Sequence, residues 1–322
     1  MPGTAMSSLP TRLENTPAET LRGIGLVIAA SALVPGLDAI GKLLVTEHGL
    51  SVGEASLYRF CLQVALILPV GLALEGAMVL RSPQIRLNLG RGACLAIGGL
   101  CLLGGLRFMP LGDTIAIFMI GPLIVTLLSA LLLKEHVGWR RTAAVFTGFA
   151  GALIIVRPSY AVFGPASLLP VAAAAAIALY LILSRRASRG TTPLAMQFFA
   201  GLGGIVVLGA AMLFGHPFGI AELSFSVPRG AWVWTLIVAS GALSTLAHLL
   251  FVEAYKLAPA SVLAPFSYVE IVSAVLLGLL IFGEFPDAPK WLGIAIVVGS
   301  GLFIYWREQR SARVPEKPPR LR

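Results

Sequence analysis

Asp38, Lys42 and Arg59 interrupt the first apolar stretches of this chain. A carboxylate and two cations in such surroundings can bind a polar solute, hold one another, or take part in proton movement. Asp38 and Lys42 are four residues apart, so on a helix they share one face, and Ser31 and Pro35 extend the stripe. Ser56, Arg59 and Gln63 make a second polar stripe at helical spacing. Glu270 lies in the middle of a later apolar run, between Ser267 and Ser273 and near Tyr268. His248 stands in a series with Ser240, Ser244, Phe251 and Tyr255, where it can bind a solute or relay a proton. Phe118 and Tyr268 are rings that can stack on a flat solute. An ionisable side chain at the centre of a membrane span costs about 2.5–3.5 kcal/mol on insertion scales, so each of these groups is a functional candidate. Two readings stay open for Asp38, Lys42 and Arg59: a structural ion pair or a binding site. The four His (His48, His136, His216, His248) have no metal-ligand spacing, and no HExxH motif is present. Catalysis, a bound metal and a cofactor are therefore not expected.

The elements that must position these groups are membrane helices. The 322 residues are 57% hydrophobic and 12% charged, with a mean hydropathy of +0.89. Soluble domains carry about 25% charged residues. Long unbroken apolar runs argue for helices, because a barrel would alternate over runs of about ten residues. The net charge of +9 reports orientation and anionic lipid rather than nucleic acid. Cys61, Cys94 and Cys101 all lie in apolar runs and read as small buried residues. Ten spans are expected, near 23–44, 53–75, 89–106, 112–133, 139–156, 165–184, 192–214, 231–255, 260–282 and 289–306. Residues 1–22 and 307–322 read as a disordered tail and a basic tail. Most of the 24 Lys and Arg fall in alternate connections, such as Arg81, Arg86 and Arg91 or Arg185, Arg186 and Arg189. That asymmetry puts both termini in the cytoplasm of an inner-membrane protein. Arg107 and Asp113 are expected to pair at the outer surface, and Glu135, His136 and Glu284 to cap or anchor span ends.

The fourth span has an echo. Pro110–Glu135 begins with Pro, crosses an apolar run holding Pro122, and ends on Glu; 149 residues further on, Pro259–Glu284 does the same, with Pro265. Pro122 and Pro265 each remove a helix hydrogen bond and are expected to bend their spans. Glu270 falls opposite Gly121 in this register. Five spans per half is an odd number, so two copies must lie inverted in the membrane, as in secondary transporters with a site between the halves.

The Pro110–Glu135 unit followed by Trp139 and Gly148-x-x-Gly151, and the Pro259–Glu284 unit ending Phe282-Gly283-Glu284, are similar to those of the drug/metabolite transporter superfamily, in its branch with two EamA domains. Asp38-Ala-Ile-Gly-Lys42 and Tyr268-Val-Glu270 resemble a bacterial subgroup of that branch. The resemblance covers about residues 22–306. It implies an all-α protein of ten transmembrane helices, as inverted repeats over 23–157 and 158–306. It also implies alternating access, with a small metabolite (amino-acid-like, vitamin-like or nucleoside-like) as cargo. Export is slightly favoured, and import of a vitamin or cofactor such as riboflavin or S-adenosylmethionine is the alternative. Proton coupling and a homodimer through the fifth and tenth spans stay open. An intramembrane enzyme or a sensor is the remote alternative.

Overall fold

The computed structural model describes residues 16–132, 139–187, 190–258 and 260–312. The regular structure of those residues is helical: α1 (Pro17–Thr46), α2 (Val52–Glu75), α3 (Ile85–Phe108), α4 (Leu111–Phe118), α5 (Gly121–Leu132), α6 (Trp139–Phe163), α7 (Leu169–Ala187), α8 (Pro193–Gly215), α9 (Ala231–Leu257), α10 (Ala260–Leu263), α11 (Val269–Phe282) and α12 (Ala288–Ala312), with short 3-10 turns between some of them. Among the described residues, seven stretches are long and apolar enough to cross a bilayer. Shorter apolar stretches cover Thr142–Val156, Phe266–Phe282 and Ala288–Ile304. The chain is thus an all-α, polytopic membrane protein.

Helix starts follow local chemistry. Thr16 and Glu19 close a capping box in which each side chain bonds the other's backbone N–H, and Pro17 takes the first helical position. The N-terminal tail expected to reach residue 22 therefore turns helical at Pro17. The tail expected from 307 is helical to Ala312. Glu135 and His136, expected at a span end, lie outside the described residues. Ser51 and Thr192 cap α2 and α8 in the same way as Thr16, by accepting a backbone N–H.

The two proline-bearing stretches are broken rather than merely bent. The first stops at Phe118 and restarts at Gly121 with Pro122 second in α5. The second runs through α10 and a 3-10 turn over Ala264–Tyr268, with Pro265 in its first positions, before α11 starts at Val269. Proline at the first turn removes no bond that the helix would make, so both restarts are cheap.

Packing runs mainly between the two halves of the chain. α1 lies on α9 and α11, α2 on α8 and α9, α3 on α7 and α8, α5 on α7, and α6 on α12. The largest apolar core draws on both halves, from Leu44, Leu106 and Ile115 to Ile237, Ile271 and Val297. α3 and α8 approach backbone to backbone. A Cβ on Gly92 would stand 2.2 Å from the Ala200 carbonyl oxygen, and one on Gly203 would stand 2.3 Å from that of Leu89. Small residues permit this closeness where lipid supplies no hydrophobic drive between helices. Cys94 and Cys101 are half-buried and Cys61 is exposed on the flank of the bundle, not buried as expected. A face toward lipid tolerates an apolar thiol as well as the core does.

Candidate functional site

Halfway along the bundle, α1, α2, α3, α4, α7, α9 and α11 surround a cavity of about 210 Å³. Its polar lining is Asp38, Arg59, Gln63, Ser244, His248 and Glu270, and its aromatic walls are Phe60, Phe118 and Phe251. Five of the expected site residues thus meet there: Asp38, Arg59, Phe118, His248 and Glu270. Helical periodicity brings the α2 pair in, since Arg59 and Gln63 are one turn apart. Glu270 arrives by a different route. The break before Val269 puts it in the first turn of α11, where the positive end of the helix favours a negative charge.

The state of these groups separates them from ordinary packed polar residues. Asp38 is 4% exposed and its Oδ2 has no hydrogen-bond partner; Gln63 is 2% exposed and its Nε2 has none. Buried polar atoms are nearly always paired, so an unpaired acceptor and an unpaired donor on two residues of one cavity lining need a reason. Asp38 lies within electrostatic range of Arg59, and Glu270 within range of Asp38. The Arg59 guanidinium sits against the bare Cα of Gly99, where a Cβ would come within 2.4 Å of its Nη2. His248 Nδ1–H donates to the Ser244 carbonyl at 2.7 Å, one turn back on α9, which fixes its ring and leaves Nε2 free of that bond.

Three expected site residues lie elsewhere. Lys42 is not in the cavity lining. Its Nζ is 2.5 Å from Glu284 Oε1 and donates to the Met109 carbonyl at 3.0 Å, with the Phe282 ring 4.6 Å away. It shares a helix face with Asp38, but one turn further along it has reached the end of the bundle. Tyr268 points at α12, where its hydroxyl takes the space a side chain on Gly301 would need. Tyr268 and the half-buried Ser267 stand in the 3-10 turn that precedes α11, and neither is in the cavity lining.

The ends of the bundle carry polar ties. At one end Glu284 Oε2 accepts the Leu111 N–H at 2.9 Å, and Lys290 Nζ is 2.6 Å from Asp113. Arg107 pairs with Glu222 at 2.7 Å, not with Asp113 as expected. At the other end Arg91, read from sequence as a loop charge, is 3% exposed. It donates to Ser184 at 2.9 Å, Asn88 at 3.1 Å, the Met196 carbonyl at 2.8 Å and Tyr180 at 2.7 Å. Thr192 donates to Glu75 nearby. Each end is therefore tied across the two halves of the chain. Sequence reasoning missed Gly99 and Arg91. The first is one of 35 glycines, and the second stands in a basic cluster that reads as an interface.

The sequence profile described as the EamA-like transporter family matches residues 21–157 and again 164–306. A riboflavin transporter of Vibrio cholerae is 32% identical over 297 residues, covering 91% of this chain and 96% of that protein. An S-adenosylmethionine uptake transporter of Rickettsia bellii is 25% identical, over 90% and 95%. A solved crystal structure superimposes with a TM-score of 0.60 at 21% identity, covering 91% of this chain and 99% of that one, which speaks to the fold alone.

Proposed function

The chain belongs to the EamA-like transporter family, and within it we propose a bacterial inner-membrane importer of riboflavin or a closely similar flat, vitamin-like solute. It is a multi-pass membrane protein that moves a small metabolite by secondary transport, and not an enzyme. The observation that carries the finer reading is the cavity: hydrogen-bonding groups without partners, set between three phenylalanine walls, suit a planar heteroaromatic solute. The relatives support import. Sequence alone slightly favours export with import as the alternative, and that alternative gains support because the Rickettsia bellii relative is an uptake protein and the Vibrio cholerae relative carries a vitamin.

Ten spans in two inverted repeats are part of this proposal. Seven long apolar stretches and three short ones add up to them. The helix pairs also support it. In the proposed numbering α7 repeats α1 and α9 repeats α3, so the α1–α9 contact has its mate in α3–α7 and the α1–α11 contact in α5–α7. Both termini are cytoplasmic in this proposal, which puts Lys42 and Glu284 at the outer end and Arg91 at the inner end. Drug-sized pockets have about 300–1,000 Å³. A cavity of about 210 Å³ is too small for a flavin, so the two halves must part to admit one, first on one side and then on the other. That is alternating access.

Labelled riboflavin should enter a riboflavin-auxotrophic host expressing the full chain, saturably and against competition by unlabelled riboflavin. Uptake of S-adenosylmethionine with none of riboflavin would overturn the substrate. Gly99→Ala tests the site itself. The added Cβ displaces only the mobile end of Arg59, so the unfolding temperature should move little while uptake falls several-fold. Unchanged uptake would place the guanidinium outside the binding event.

A further inference from the structure

We infer that Arg59, Gln63 and Asp38 read one edge of the solute, an imide edge that presents acceptor, donor and acceptor in a row. The inference rests on the flat vitamin-like solute proposed above and assigns the part of it that is recognised. Arg59 and Gln63 are donors one turn apart on α2, so they face the cavity together. A guanidinium has donors and no acceptor, and the free atom of Gln63 is its amide nitrogen. Asp38 comes from α1 and offers the complement, a carboxyl acceptor with Oδ2 unpartnered. Among the described residues no hydrogen bond or ion pair occupies Arg59 or Asp38, so neither is consumed by the fold. Donor, acceptor and donor groups match carbonyl, N–H and carbonyl, the edge of a fused pyrimidinedione. A flavin carries that edge at one end of its ring system and only methyl groups at the other. An adenine edge offers an amino donor beside a ring nitrogen acceptor, so the two carriers' solutes are distinguishable by this set.

A site that hydrogen-bonds a group discriminates against an analogue lacking it, because its own buried atoms are then left unpaired. The test measures competition against labelled riboflavin uptake by the full chain in cells, using three compounds: riboflavin, 3-methylriboflavin, whose N–H is replaced by N–CH3, and an analogue altered only at the dimethylbenzene end. The methylated compound should compete at least about tenfold more weakly than riboflavin, and the other within about threefold. Asp38→Leu should bring the first ratio toward one. Because it is a ratio of two compounds on the same protein, a merely lower amount of folded carrier does not move it. Riboflavin uptake with equal competition by 3-methylriboflavin would overturn the inference and leave the proposed function standing. Absence of any flavin uptake by the unaltered protein would overturn both.

Discussion

Glu270→Gln is expected to abolish accumulation of the solute while leaving solute exchange intact. Glu270 is 8% exposed, lines the cavity, and stands within electrostatic range of Asp38. With Arg59 the cavity then holds two carboxyls against one guanidinium, so a proton on Glu270 changes its net charge from negative to neutral. A group whose charge changes as the site turns from one face to the other ties solute movement to the proton gradient. One coupled proton supports about a tenfold concentration ratio per unit of pH difference, since a tenfold ratio is worth about 1.36 kcal/mol. The proposed import gives the sign: acid outside drives the solute inward. In vesicles holding the carrier, a one-unit gradient should give the unaltered protein about tenfold accumulation and the Glu270→Gln protein none. Glutamine has nearly the shape of a protonated glutamate, so the variant should keep its unfolding temperature and still exchange labelled for unlabelled solute. Accumulation by the variant equal to that of the unaltered protein would sink the coupling role.

Part of this site is legible in the amino-acid sequence, and the reason is periodicity. Asp38, Arg59, Gln63 and His248 lie in regular helices, where a spacing of three or four residues fixes a shared face. The same rule does not reach Tyr268 and Ser267, which stand in a proline-led 3-10 turn where the regular α-helical period is interrupted. Depth along a helix is also hard to read from spacing. Asp38 and Lys42 share a face, but the one turn between them separates a mid-bundle cavity from the bundle's end. Partners are the least legible. Glu284 is 242 residues from Lys42, and Glu222 is 115 from Arg107, distances over which local spacing carries no information. The expected pairing of Arg107 with Asp113 is the nearest in sequence, and the fold pairs both with residues of the other half. Composition makes the class evident, while the three shorter apolar stretches, Thr142–Val156, Phe266–Phe282 and Ala288–Ile304, blur the count of spans.

The tie at the Lys42 end should break asymmetrically. Lys42 is the more deeply buried partner, with 7% of its side chain exposed against 25% for Glu284. Glu284→Ala leaves a buried ammonium with one carbonyl, that of Met109, and the face of Phe282. Removing one member of a buried ion pair typically costs about 3–5 kcal/mol, because the other charge stays behind without compensation. Lys42→Met leaves Glu284 a quarter exposed and still bonded to the Leu111 N–H, so its cost should be smaller, about 1–3 kcal/mol. The double variant should recover most of the loss, because no charge is left stranded. Unfolding of the purified carrier in lipid nanodiscs measures all three, and equal losses for the two single variants would refute the asymmetry. The functional consequence runs the same way. The pair joins α1 to the end of α11 and the start of α4, across the two halves, and a state in which that end opens must break it. Removing the pair weakens only the closed form, so the population shifts toward opening by the free energy lost there. With Gln63→Cys as the reporter, a membrane-impermeant thiol reagent applied from outside should then react faster in Glu284→Ala than in Lys42→Met, and slowest in the parent.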